Sequence, residues 1–344
     1  MTALIDCHSD LMIDLQRRRS QGEEKVFERV HLPELRAGGV AACLCIVGGD
    51  LAVLLPGGIE SHEGTLRLVD MLRADIAETS GARIAGSASE VRQLIDDGVF
   101  AIIPALEGAS PLRGDPALVG ELHAAGVRVI GLTWNTRNEI AVGLDRSVAG
   151  ERHDDGTGLT KAGREAIKEM NRIGVVVDVA HGTPKTFWDV VEVSEAPFIV
   201  SHANARTLRD HVRNLDDEQL RAVRDVGGMV GVVLYPPYVG PLPLTVDNVV
   251  DHIEYLVDKV GEDSVGIGAD FIDYALEELV AEYVEHGIPY DEANFVYPAG
   301  VETCRSLSGI VEAMARRGFS SEAIEKIASG NMLRVLREVE EAAA

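Results

Sequence analysis

Three histidines and three carboxylates in this chain stand where short apolar runs end. They are His8 and Asp10 in DCHSD, Glu107 in ALEG, His181 in VVVDVAH, His202 in FIVSH and Asp270 in GIGADF. Residues two apart on an extended chain share a face, so His8 and Asp10 can address one cation together. Taken alone, an HxD pair is more often a cap or a turn than a pair of ligands, and a lone histidine beside an apolar run is usually a satisfied core or rim residue. The set reads differently, because imidazoles mixed with carboxylates suit zinc, whereas a shell of carboxylate and water suits magnesium or calcium. Five ligands exceed what one tetrahedral catalytic zinc takes while keeping a water position. They suit two Zn2+ per chain with Glu107 bridging them. Two such ions, about 3.5 to 4 Å apart, hold a hydroxide that forms near neutral pH and polarise the carbonyl it attacks, which is the chemistry of hydrolysis. Asp270 is placed to move the proton as general base and acid, or to orient a metal-bound histidine from behind.

The elements that must bring these residues together repeat as apolar run, turn and amphipathic helix, the alternation of a parallel α/β sheet. Eight strands are expected, at Ala3 to Cys7, Val40 to Val47, Val99 to Leu106, Val127 to Thr133, Val175 to Ala180, Pro197 to Ser201, Met229 to Tyr235 and Ser264 to Ala269. Helices with apolar positions three and four apart are expected at Glu63 to Ala77, Pro116 to Ala125, Lys161 to Ile173, Lys185 to Val193, Asp217 to Val226 and Val246 to Val260. Ser87 with Glu90 reads as a capping box, and Thr183 with Pro184 as an N-cap followed by proline at the first helical position. The count points to one (β/α)8 TIM barrel across residues 1 to 344, with C-terminal helices near Val301 to Arg317 and Glu322 to Glu341 packed outside it. Two features sit awkwardly. Pro104 falls inside a strand, and ARIAG at Ala82 to Gly86 can be a ninth strand.

Composition narrows the function classes. With 46% apolar residues and 56 acidic against 32 basic side chains, the chain is a folded globular protein of formal charge -24. Such a surface repels nucleic acid and anionic lipid, and no apolar run is long enough to span a membrane. The N-terminal MTALIDCHSD is neither a basic leader nor an apolar signal core, so the expected location is cytoplasmic. Cys7, Cys43, Cys45 and Cys304 form no CxxC and read as reduced thiols. GIGAD lacks the third glycine of a dinucleotide fingerprint, and neither a phosphate-binding GxxxxGK[ST] nor a GxSxG nucleophile elbow occurs. The remaining histidines, His31, His62, His123, His211, His252 and His286, are scattered and read as solvated.

The ordered blocks DCHSD at 6 to 10, ALEG at 105 to 108, GLTKAGREAIKEMNRIGVVVDVAH at 158 to 181 and FWDVVEVSEAPFIVSHANAR at 187 to 206 span much of the chain, and RNL at 213 to 215, GIGADF at 266 to 271 and SGNMLRVL at 329 to 336 continue them. Together they resemble the membrane dipeptidase (renal dipeptidase) family, peptidase family M19, within the amidohydrolase-like metal-dependent hydrolases. The resemblance implies a binuclear zinc barrel in which His8, Asp10 and Glu107 hold one ion, and Glu107, His181 and His202 the other. It implies Asp270 as the proton-shuttling aspartate and Arg213 as the arginine that grips a substrate carboxylate, a pairing the guanidinium fork makes bidentately. Without the resemblance, Arg213 in HVRNLDDEQ reads as a solvated charge near a helix start.

One segment departs from the family pattern. Many members carry a histidine in an LTH run after the fourth strand, where this chain reads Leu132-Thr133-Trp134-Asn135. Asn135 or Arg137 can donate a hydrogen bond to substrate instead, Trp134 can form an apolar wall, and His153 in ERHDDG can supply a donor from another loop or lie at the surface. The expected function is a zinc-dependent dipeptidase acting on L,L-dipeptides and, by resemblance, on those with a C-terminal D-residue. Its partners are small dipeptides, with no nucleic acid and no membrane, and a homodimer is expected. An amidohydrolase-type enzyme for N-acyl amino acids, lactams or lactones is the alternative. A catalytically silent barrel with structural zinc is a further one, against which Asp270 argues, because a structural zinc needs a closed shell and no proton shuttle.

Overall fold

The computed structural model describes residues 2–50, 61–144, 156–272 and 295–343. His153 and His286 lie outside these residues. Nine parallel strands run in chain order as β1 (Leu4–Ser9), β2 (Val40–Gly49), β3 (Ala82–Ile84), β4 (Phe100–Glu107), β5 (Val129–Gly131), β6 (Val176–Asp178), β7 (Ile199–Val200), β8 (Met229–Val232) and β9 (Val265–Ile267). All eight expected strands are present, and β3 is the ninth that ARIAG left open. Pairing runs β2-β1-β9-β8-β7-β6-β5-β4, and β2 also pairs with β4, so eight strands close into a (β/α)8 barrel. β3 pairs with the first half of β4, from Phe100 to Ile102, on the edge that β5 takes over at Ala105 and Leu106.

That handover explains Pro104. Its carbonyl accepts from Arg128 N (3.0 Å), so its missing N–H also faces the β5 edge. Ala85 N has made the last bond to Ile102 O just before this point, and β5 pairs from Ala105 onward. Proline therefore costs little on this edge, between the end of β3 pairing and the start of β5 pairing, while β2 stays in register on the other edge at Cys45.

Successive strand residues alternate between the barrel interior and the surrounding helices. Ile5, Cys7, Ala42, Leu44, Ile46, Ala101, Ile103, Ala105, Val129, Val176, Ile199 and Met229 pack together inside. Leu4, Cys43, Cys45, Ile102, Leu106, Val177, Val230 and Ile267 pack outward with the helices. The helix predictions hold to within a residue or two: His62–Glu78, Leu118–Ala124, Lys161–Ile173, Pro184–Val193, Asp217–Asp225 and Val246–Val260. Thr183 Oγ1 accepts from Thr186 N as expected, whereas the box expected at Ser87 is half formed: Ser87 Oγ accepts from Glu90 N, but Glu90 Oε2 accepts from Gly86 N (2.7 Å) instead of closing back on Ser87. The cysteines are free thiols, three of them buried.

The last helix, Asn331–Ala342, departs from its expected place outside the barrel. Met332, Leu333, Val335, Leu336 and Val339 join the interior cluster. Asn331 Nδ2 donates to Val265 O at the start of β9 (2.7 Å), and Arg334 Nη1 to Gly227 O just before β8 (2.7 Å). The helix thus lies across the N-terminal end of the barrel, with its apolar stripe packed on the interior cluster. Three of the histidines expected in solvent are buried for a related reason, since each has a partner distant in sequence. His31 Nε2 lies 3.2 Å from Asp14 Oδ2, His62 Nε2 lies 3.0 Å from Glu121 Oε2, and His252 Nε2 donates to Val239 O at 2.9 Å. Truncating Leu336 to alanine is expected to cost about 2 to 5 kcal/mol, read by urea unfolding, because the cavity opens into the barrel floor.

Candidate metal centre

The six metal and proton-transfer candidates all arrive at the C-terminal rim of the barrel. His8 lies at the end of β1 and Glu107 at the end of β4. Asp10, His181, His202 and Asp270 follow the ends of β1, β6, β7 and β9 within a few residues. Glu107 Oε1 lies at the centre, 2.9 Å from His181 Nε2, 3.4 Å from His202 Nε2 and 3.5 Å from His8 Nε2. On its other side His8 Nε2 is 3.6 Å from Asp10 Oδ2 and 4.0 Å from Asp270 Oδ1. Ligand atoms of His8, Glu107 and His202 all lie within 4.8 Å of one another, and so do those of His8, Asp10 and Asp270.

Local backbone features aim these side chains. Strict alternation would send His8 outward with Leu4, but the β1–β2 register shifts between Asp6 and Ser9, which turns His8 inward. Asp6 braces this bulge, its Oδ1 accepting from Ala269 N (2.8 Å) and His8 N (3.2 Å), so the strands that carry His8 and Asp270 are tied at one carboxylate. Burial pushes the Asp6 carboxyl up to about 7, against those two backbone hydrogen bonds. His181 and Asp270 both sit in the left-handed region, with φ of 66° and 56°. Tyr297 Oη donates to Asp270 O at 2.6 Å and helps to hold that turn. Glu107 is positioned by close approach, since a Cβ on Gly49, whose φ is +122°, would lie 2.1 Å from Glu107 O.

The electrostatics are those of a cluster built around positive charge. Burial alone would drive the His8 imidazole to its neutral form, yet Glu107, Asp10 and Asp270 outweigh it and hold its pKa well above the usual histidine range. Burial raises the Glu107 carboxyl well above its ordinary value, with Asp10 and Asp270 adding to the rise and His8 opposing it. His202 is held well below the ordinary value by burial first, and then by His8, Arg213 and His181.

The residues fit a metal centre. His8 Nε2 and Asp10 Oδ1 are buried and make no hydrogen bond, an expensive state unless a cation completes them. His181 Nε2 and His202 Nε2 face each other at 2.9 Å. At His181 the ring nitrogen remote from the cluster, Nδ1, lies 2.9 Å from Asn135 Oδ1. With Nδ1–H donating to that oxygen, Nε2 keeps its lone pair toward the cluster, the state a metal-ligating imidazole needs.

Two further predicted residues lie beside the cluster. Asn135 is buried with its side-chain carbonyl on His181. Arg213 is also buried, which overturns the reading of it as a solvated charge. Its Nη2 donates to His202 O (3.2 Å), and its guanidinium lies 5.5 Å from the Tyr238 ring centre. Trp134 is half-buried with its ring 6.4 Å from that of His181. Asp50 went unnoticed in the sequence. It ties three loops at the rim, accepting from Ser110 N (3.0 Å), Trp134 N (3.1 Å) and Asn138 Nδ2 (2.9 Å). Its signal was a lone aspartate after the second strand, too common a pattern to single out.

The family model for membrane dipeptidase (peptidase family M19) matches residues 1–282 and 269–344. The chain belongs to the membrane dipeptidase family, peptidase family M19. It is 32% identical over 277 residues to an uncharacterised protein from the pqqA 5′ region of Klebsiella pneumoniae, covering 78% of this chain and 93% of that one. It is 33% identical over 288 residues to dipeptidase tcpJ of Claviceps purpurea, covering 83% of this chain and 62% of that one. In fold it superposes on a metallopeptidase from Rhodobacter sphaeroides, solved with a phosphinate mimic of the dipeptide L-Ala-D-Ala. The TM-score is 0.80 at 23% identity, with 98% of this chain and 99% of that one covered. M19 membership places the chain among metal-dependent hydrolases, and no helix of its described residues is long and apolar enough to cross a membrane.

Replacing Gly49 by alanine is expected to displace the Glu107 backbone and cost about 1 to 3 kcal/mol of stability. Thermal unfolding together with metal content per chain checks this: the variant should lose both, and a variant equal to wild type in both would show that Gly49 does not position Glu107.

Proposed function

We propose that this chain hydrolyses the peptide bond of dipeptides, L,L and L,D, with two zinc ions as its cofactors. His8, Asp10 and Glu107 hold one ion, and Glu107, His181 and His202 hold the other. The observation that carries the reading is the convergence of three imidazole Nε2 atoms within 3.5 Å of one buried Glu107 oxygen, with Asp10 and Asp270 on the far side of His8. Ions bound there supply a water acidic enough to attack near neutral pH and polarise the scissile carbonyl.

The side chains do the rest. Asp270, 4.0 Å from His8 Nε2 and more exposed than the ligands, takes the proton of the attacking water and delivers it to the departing amine. Arg213 pairs with the substrate's terminal carboxylate, and its bond to His202 O fixes the distance from that carboxylate to the metal ligands. Asn135, held on His181, stays a candidate substrate contact through its amide nitrogen. The closed floor of the barrel leaves the C-terminal rim as the way in. Trp134 beside His181, where many family members have a histidine, favours a second reading in which the same centre cleaves N-acyl amino acids, lactams or lactones.

Metal analysis and amino-acid release from a panel of L,L- and L,D-dipeptides test the proposal. Wild type should hold near two metals per chain and cleave dipeptides. Asp270→Asn should keep the metals and lose about 10²- to 10⁴-fold in kcat. Asparagine tolerates the left-handed backbone at this position, so the change isolates the carboxylate. Two metals without dipeptide cleavage would favour the second reading, and no bound metal after zinc loading would sink the site.

A further inference from the structure

His202 is backed by a chain of hydrogen bonds that the metal chemistry has not yet used. Its Nδ1 lies 2.8 Å from Ser201 Oγ, and the same Oγ lies 2.5 Å from Asp178 Oδ2. The other Asp178 oxygen accepts two backbone N–H groups, from Ala180 (3.0 Å) and Ser201 (2.9 Å). All three side chains are buried, and a Cβ on Gly231 would lie 1.9 Å from the Ser201 backbone carbonyl oxygen, so the strand that carries the serine packs directly on glycine backbone.

A hydroxyl has one proton to give and can accept two bonds, whereas a carboxylate only accepts. Ser201 must therefore donate to Asp178, and its oxygen is left to accept from His202. Accepting requires the imidazole proton on Nδ1, which strips Nε2 of its proton and points a lone pair at Glu107 and His181. We infer that Asp178 and Ser201 form a hydrogen-bond relay that sets the tautomer of His202 and thereby its capacity to hold a metal ion. Both are positioning residues, since neither touches the reacting atoms. The inference rests on the reading of His202 as a ligand. It adds that this ligand is fixed by a carboxylate acting through a hydroxyl, whereas His181 is fixed by the neutral amide of Asn135.

The direction of the relay makes it testable, because it can be reversed without removing any heavy atom. In Asp178→Asn, the amide oxygen takes over the two backbone N–H groups and the amide nitrogen faces Ser201 Oγ as a donor. The hydroxyl proton is then left without an acceptor unless His202 takes it at Nδ1, which favours the ring proton on Nε2, facing the metals. Ser201→Ala cuts the relay but leaves Nδ1–H free to exist, and it keeps both backbone bonds to Asp178, which protects the fold.

The experiment is zinc competition against a chromogenic chelator on the full chain, alongside imidazole ¹H–¹⁵N correlation spectra of the metal-free protein, in which ligation does not itself dictate the tautomer. In wild type the His202 ring proton should be on Nδ1. Ser201→Ala should weaken one of two zinc sites by about 10- to 100-fold, and Asp178→Asn should weaken it further. A purely structural Asp178 would not place the reversed-relay variant below the cut one with thermal stability matched. If Asp178→Asn fails to fold, Ser201→Ala and the wild-type spectrum decide. Variants that hold both zincs as tightly as wild type, or a His202 proton found on Nε2, overturn the relay alone. A wild-type chain that takes up no zinc overturns the reading of the site and the relay with it.

Discussion

The carboxylate of Glu107, buried among three imidazoles, is the constraint on which the rest of the structure depends. An ionised group withdrawn from water is costly unless its neighbours replace the lost solvation. Here the three imidazoles come from three strands other than its own, β1, β6 and β7, so no local segment can assemble them. The closed barrel solves this by bringing every strand end to one rim, while its wall of small and β-branched residues fixes where each end stands. Asp6 and Gly49 show how far the frame is specialised for that purpose. One ties the strand carrying His8 to the strand carrying Asp270, and the other has no side chain because the Glu107 carbonyl occupies the space.

Glu107 and His8 also explain each other's unusual acidity. Each is pushed by burial toward its neutral form, and each is pulled back by the other's charge. With Asp10 and Asp270 added, three carboxylates face three imidazoles of which burial holds His202 toward its neutral form, so cations are a natural completion of the site. The surface, at -24 overall, is a separate matter of solubility.

Much of this was legible in the sequence because it is periodic or terminal. Strand alternation placed the barrel, and the residues at strand ends marked the candidate ligands that the structure brings to one rim. What was not legible depends on contacts between distant positions. The inward turn of His8 rests on a register shift that no pattern of apolar residues announces. The floor helix Asn331–Ala342 has the same amphipathic pattern whether it packs beside the barrel or beneath it. His31, His62 and His252 were read as solvated because their partners lie 17, 59 and 13 residues away. Asp178 was visible three residues before His181, yet its bond to Ser201 joins two strands and appears only once β6 and β7 are neighbours.

The left-handed backbones of His181 and Asp270 carry a consequence for how this chain can drift. An L-residue pays about 1 to 2 kcal/mol for that conformation, and glycine pays almost nothing. At both positions, then, the substitution that relaxes the backbone is one that deletes a side chain the proposed mechanism uses. Random change under selection for foldability alone would move toward glycine at these two turns and leave a sturdier, inert barrel. Under the proposed function, histidine and aspartate persist there only while the activity itself is selected, so the strain at these two turns is held by use and not by stability.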